Sequence, residues 1–181
     1  MSNRLFGILC SVLVVLIIAV SVGACAARRK ASELPITAGF ECDVDMTYQD
    51  MTIKGHLTRV AAGTLTLTID KPSTLKGLSM EWNGDDITIK MMGLSFGIDP
   101  SGVPQTALGK CMLDALDSAV RLTDKGEKTS EGLKLIGKSL NGDFEIVSDP
   151  ETGYLVSLAI PSMRVKATFT NFELTDDRIE E

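Results

Sequence analysis

The chain has 181 residues, with 18 Lys and Arg against 24 Asp and Glu and a formal net charge of −6. That length supports one domain with a real apolar core, and it needs neither a disulfide framework nor a structural metal for stability. The acidic balance, with no basic stripe interleaved with aromatics, argues against a nucleic-acid partner.

The chain opens with Arg4, an almost wholly apolar run from Leu5 to Val22, and then Gly23-Ala24-Cys25. A charged start, an apolar stretch and small residues at its end make a secretory signal peptide. Val22-Gly23-Ala24-Cys25 resembles the bacterial lipobox, which implies cleavage before Cys25 and a diacylglycerol on its thiol. Residues 1–24 are thus expected to be a lipoprotein signal peptide, and 25–36 the lipidated cysteine with its tether. The domain would then span 37–175 on the extracytoplasmic face of the cell membrane, followed by an acidic tail at 176–181. An uncleaved signal anchor is the alternative, since the run approaches the ~20 residues a membrane span needs. Arg28-Arg29-Lys30 would in that case hold the domain in the cytoplasm; in a tether, the same triplet would lie against anionic head groups.

Strict alternation begins at Phe40, with Phe40, Cys42, Val44, Met46 and Tyr48 on one parity, which predicts a half-buried strand. Met51, Ile53 and Leu57 follow after a Gln49-Asp50 reversal, and Leu65, Leu67 and Ile69 alternate with threonines, giving an antiparallel meander. Leu78, Met80 and Trp82 form a fourth apolar row. Asn83-Gly84-Asp85 reads as a hairpin turn and returns through Ile87, Ile89 and Met91. Leu94, Phe96 and Ile98 continue that strand or line the loop after it.

From Gln105 to Val120 the spacing changes. Ala107, Leu108, Cys111, Met112, Ala115, Leu116 and Ala119 recur every three or four residues, which predicts one amphipathic helix. A polar loop follows over 124–130. Further strands come from Gly132 to Leu140, from Asp143 to Val147 after Asn141-Gly142, from Tyr154 to Ile160 after the turn at 149–153, and from Ser162 to Leu174. The expected fold is mainly β (α+β): a curved antiparallel sheet or incomplete barrel of about nine strands around one or two helices, because strands apolar on one face need a cover.

Four segments carry a resemblance to the LolA/LolB lipoprotein-carrier family and to its membrane-anchored relatives among Gram-positive lipoproteins. They are the opening strand with Phe40, Cys42, Val44 and Met46, the run Gly55-His56-Leu57-Thr58-Arg59, the segment from Pro72 to Trp82 with its Asn83-Gly84-Asp85 turn, and Asp149-Pro150-Glu151-Thr152-Gly153. The resemblance implies a half-barrel with helices as a lid and an apolar interior that accepts acyl chains. It implies an alternative as well, since one Gram-positive relative of similar fold binds a cell-wall amidase.

Met46, Met51, Met80, Met91, Met112 and Met163 point inward on parity or helical phase. With Trp82 and Phe96 they are the candidate lining of a ligand cavity, although thioethers fill ordinary cores too. Cys42 and Cys111 are the cysteines of the globular part, and either a disulfide or two buried thiols fits them. His56, the single histidine, shares its parity with Lys54 and Thr58 and reads as an exposed strand residue. Asp43, Asp45 and Asp50 lack the loop spacing and glycine of a calcium site. No catalytic constellation, metal site or cofactor motif emerges, so a non-enzymatic protein is expected. The reading is a membrane-anchored extracytoplasmic lipoprotein that binds, or transfers, a lipid or other apolar ligand. Its rival is a non-catalytic scaffold for a cell-envelope protein such as a cell-wall hydrolase.

Overall fold

The computed structural model describes residues 39–175 apart from 85, 105, 106 and 123–125. The signal segment, Cys25 with its tether, and the acidic end at 176–181 lie outside the described residues. Among those described, no helix is long and apolar enough to cross a membrane.

Six strands come first: β1 (Phe40–Tyr48), β2 (Met51–Arg59), β3 (Thr64–Lys71), β4 (Ser79–Asn83), β5 (Asp86–Met91) and β6 (Leu94–Ile98). Helix α1 (Leu108–Val120) follows, and then β7 (Glu127–Thr129), β8 (Gly132–Ser139), β9 (Gly142–Ser148), β10 (Leu155–Ile160) and β11 (Val165–Leu174). They form one open sheet in the order β6-β5-β4-β3-β2-β1-β11-β10-β9-β8-β7, with antiparallel neighbours throughout. Among the described residues the strands number eleven, where periodicity suggests about nine. The first addition is β6, split from β5 by Met92 and Gly93, whose φ angles of 51° and 80° make a tight left-handed turn. Met-Gly does not announce such a turn as Asn-Gly does. The second is β7, Glu-Lys-Thr, which is exposed at every residue and held by its backbone pairing to β8 and by the Thr129 hydroxyl, which donates to the Gly132 carbonyl at 2.9 Å.

Two expected turns shift by a residue. Asn83 is still paired, with Asp86, and Ser139 with Gly142, so each loop begins one position away from the Asn-Gly reading. The last strand also starts late, because Pro161–Met163 forms a 3₁₀ turn closed by Arg164 in a left-handed conformation (φ 51°). Met163 therefore belongs to a turn and not to an inward strand position.

The pairing of β1 with β11 in the middle of the sheet places β6 and β7 at opposite edges. The chain between them must cross the sheet, and α1 is that crossing. Its apolar face, with Leu108, Cys111, Met112, Ala115, Leu116 and Ala119 all buried, lies on the inward side chains of the strands. Those include Phe40, Val44, Leu57, Leu65, Phe144, Ile146 and Leu158, so one continuous core joins helix and sheet.

Cys42 and Cys111 are both buried and are free thiols in this structure. Burial pushes the Cys42 thiol up to about 12 and the Cys111 thiol up to about 11, so neither is a nucleophile at neutral pH. Cys111 Sγ instead donates to the Leu108 carbonyl at 3.0 Å.

Gly109 lets the helix seat. A Cβ there would come within 1.8 Å of the Trp82 ring, so the indole packs directly on the helix backbone. Alanine at this position would gain about 1 kcal/mol of helix propensity but would force the ring aside, and overpacking a core costs about 1–3 kcal/mol. G109A is accordingly expected to lower the stability measured by urea unfolding, in spite of its better helix propensity.

Candidate apolar binding face

Directly opposed residues of an antiparallel pair share a face. Met80 stands opposite Leu67 on one side and Ile89 on the other, and Ile89 stands opposite Phe96. The next row toward the helix is Leu65, Trp82, Ile87 and Ile98; on the other flank Met91 faces Leu94. All of these lie on the face that carries Trp82, the face α1 covers.

The cover stops short of the edge. Trp82 and Ile87 are buried, Met80, Ile89 and Met91 half-buried, and Leu94 and Phe96 are 59% and 54% exposed. Leu78 extends the patch and is half-buried. A 13-residue helix is about 20 Å long and about 10 Å across, whereas eleven strands span about 50 Å. One helix cannot roof that face, and the strip over β4, β5 and β6 is what remains open.

The structure sorts the eight predicted lining residues into three groups. Met80, Met91 and Phe96 come together on this open face. Met46, Trp82 and Met112 are buried in the core and are packing residues. Met51, 40% exposed at the start of β2, and Met163, in its 3₁₀ turn, stand apart from the face. Periodicity puts Leu78, Ile89 and Leu94 on the same parity as the methionines, but only the register of β4, β5 and β6 shows that they share the patch.

The boundary of the cover is held by polar contacts. Arg59 ends β2 on the inward parity and is only 1% exposed. Its Nη2 donates to Asp117 Oδ1 of α1 at 2.5 Å, and the Gly63 amide in the β2–β3 turn donates to both oxygens of the same carboxylate at 3.2 Å. Arg59 Nε and Nη1 and Trp82 Nε1 are buried with no acceptor among the described residues. One turn earlier in the helix, Asp114 accepts from the Asn141 amide nitrogen at 3.2 Å, tying α1 to the β8–β9 turn. Burial of Asp114 raises its pKa above the ordinary carboxylate range, opposed by Lys110 and reinforced by Asp117.

Around β1 and β2 the outward face is polar. His56, 43% exposed, lies across from Asp43 and approaches it at 3.2 Å, while Asn171 donates to Asp43 at 2.7 Å. The Asn171 hydrogen bond, and then His56, hold the Asp43 carboxyl below its usual range. At the Asn83–Asp86 end of these strands a cleft of about 660 Å³ is lined by Glu81, Asn83, Asp86, Thr88 and Asp99 together with Ile87 and Ile98. Three carboxylates in that lining favour water over an acyl chain.

No protein-family model matches the chain, and no curated protein matches it. Solved structures do. An uncharacterized conserved protein from Thermus thermophilus superposes with a TM-score of 0.50 at 12% identity, covering 81% of this chain and 84% of that one. The fold is shared. A LolA superfamily protein from Nitrosomonas europaea matches with a TM-score of 0.43 at 11% identity, over 83% of this chain and 93% of that one. A DUF1329 family protein from Desulfovibrio piger gives 0.45 at 11%, over 82% and 90%.

Two outcomes test how the cover is held. D117A would leave the Arg59 guanidinium buried without its counter-charge, and breaking a buried pair from one side costs about 3–5 kcal/mol. Urea unfolding should show that loss, and the double variant R59M/D117L should recover most of it. Asp114 carries the opposite sign. A folded-state pKa above the unfolded value means that the folded chain binds this proton more tightly, so the contribution of Asp114 to stability falls as pH rises through that interval. D114N, which can still accept from Asn141, should therefore raise Tm relative to the parent at about pH 7, and the difference should vanish near about pH 3, where both forms are neutral.

Proposed function

We propose that the chain is a non-catalytic, membrane-anchored extracytoplasmic lipoprotein that takes a lipid or another long apolar ligand on the open inward face of β4, β5 and β6. The observation that carries this reading is the uncovered row of Met80, Ile89 and Phe96, flanked by Met91 and Leu94, on the same face as the core. An open apolar strip continuous with a packed interior offers an extended ligand one dry wall, and flexible thioethers let that wall fit chains of different length. Anchoring through Cys25 would keep the strip close to its source of lipid. The helix-covered open sheet agrees with the half-barrel that the LolA/LolB resemblance implies, and a Gram-positive anchored relative is the form that the lipobox would favour.

A second reading rests on β6 being the last strand of an open sheet. An edge strand beside apolar side chains can pair with a segment of another envelope protein, such as a cell-wall hydrolase.

A dansylated undecanoate probe separates the two. The parent should bind it with enhanced, blue-shifted emission. F96D should weaken the affinity at least about tenfold, the equivalent of about 1.4 kcal/mol, without loss of fold, because this side chain is largely outside the core. Absence of probe binding by the parent, together with native mass spectra free of lipid after extraction from the membrane, would overturn the ligand reading and leave the edge-pairing one.

A further inference from the structure

The β1–β2 turn and the 3₁₀ turn put the polar residues Gln49 and Arg164 in the left-handed region; the tip of the β5–β6 hairpin puts an apolar one there. Met92 has φ 51° and Gly93 φ 80°, the left-handed pair of a type I′ turn whose first position favours Asn, Asp or Gly. A methionine sits there instead and is 87% exposed. Backbone strain spent on displaying a large apolar side chain to solvent runs against both turn chemistry and solubility, and strained positions of this kind gather at functional surfaces.

Its surroundings share one character. Leu94 and Phe96 follow it on the same hairpin, both more than half exposed. At the same end β3 finishes with exposed Asp70 and Lys71, and exposed Lys76 follows in the β3–β4 connection; Lys90 precedes the tip and pairs with Glu81 on the outward face at 2.7 Å. The opposite end of these strands is acidic, with Asp86 and Asp99. The β4–β6 edge is thus polarised: apolar residues and three lysines, partly offset by Asp70 and Glu81, at one end, and Asp86 and Asp99 at the other. An anionic bilayer complements that arrangement. Its head groups attract the lysines and repel the acids, and its interface accepts the apolar tip.

We infer that the Met92 hairpin is a membrane-contacting element that dips into the interface of an anionic bilayer, with Lys71, Lys76 and Lys90 at head-group level. This goes beyond the ligand-binding reading: the contact would stand even if no ligand ever occupied the inward face. It also fixes an orientation, with the open strip of β5 and β6 meeting the bilayer at its Met91–Leu94 end.

Tryptophan depth quenching tests it on the full chain in proteoliposomes, where either mode of N-terminal attachment keeps the protein at the vesicle. The parent has a single tryptophan, buried Trp82, as background. M92W and L94W report on the hairpin, and V60W, in the exposed β2–β3 turn, reports on the far end of the sheet. In phosphatidylglycerol–phosphatidylcholine vesicles containing acyl-brominated lipid, emission added by M92W or L94W should be quenched several-fold more than that added by V60W. The excess should shrink in phosphatidylcholine alone. Equal quenching at the two ends would overturn the proposal. So would a hairpin tryptophan shielded from aqueous iodide yet untouched by brominated lipid, since that pattern means a protein or a second copy covers the tip.

Discussion

The pairing of the first strand with the last, β1 with β11, sets the terms for everything else in this molecule. Once those two strands lie side by side at the centre, each half of the chain can add strands only outward, and the two halves end at opposite edges. The connecting segment must then travel the width of the sheet over one face. A bare loop laid on that face would bury backbone amides and carbonyls without partners, so the crossing has to be helical. The helix in turn decides which face is inward, and every strand must alternate in phase with that choice.

Seating the helix takes unusual chemistry at both contacts. Gly109 removes a side chain so that Trp82 can lie against the backbone. Arg59, on an otherwise apolar parity, is carried into the interior to meet Asp117. Such a pair gives little net stability over two well-fitting apolar residues, because its attraction is largely offset by desolvation. What it supplies is placement. An apolar helix face can slide on an apolar sheet, whereas a guanidinium whose carboxylate partner among the described residues is Asp117 alone fixes both the angle and the register of the crossing. The same carboxylate receives the Gly63 amide, so the β2–β3 turn is positioned by the event that positions the helix.

Alternation made β1 to β5 and the inward residues Phe40, Val44, Leu57 and Leu65 legible in the sequence, and three- and four-residue spacing did the same for α1. What stayed hidden depended on long-range pairing. Glu127–Thr129 is a strand only because β8 lies next to it. Arg59 looks like an exposed end of β2 until Asp117, far along the chain, is seen beneath it. Parity alone could not separate Met46 and Met112, inside the core, from Met80 and Met91 at its rim. Inward means facing the helix only where the helix reaches, and its reach is a property of the crossing rather than of any strand. Met51 shows the same limit, since it keeps the inward parity yet stands exposed at a strand end.

That limited reach bears on how an apolar ligand would exchange. In a fully roofed barrel, entry requires the roof to lift, and here lifting it would separate Arg59 from Asp117 inside the core, a step that mass action at ordinary ligand levels would rarely drive. The strip over β4 to β6 imposes no such step, because Leu94 and Phe96 are already open. The covered half of the sheet could therefore stay rigid while the uncovered half took up a ligand. A hairpin tip resting in a bilayer would keep that strip out of bulk water between ligands, which answers the solubility problem that an exposed Met92, Leu94 and Phe96 would otherwise pose. Contact with an apolar phase that the isolated domain does not itself provide would account both for the exposure at this edge and for an apolar residue in the left-handed turn.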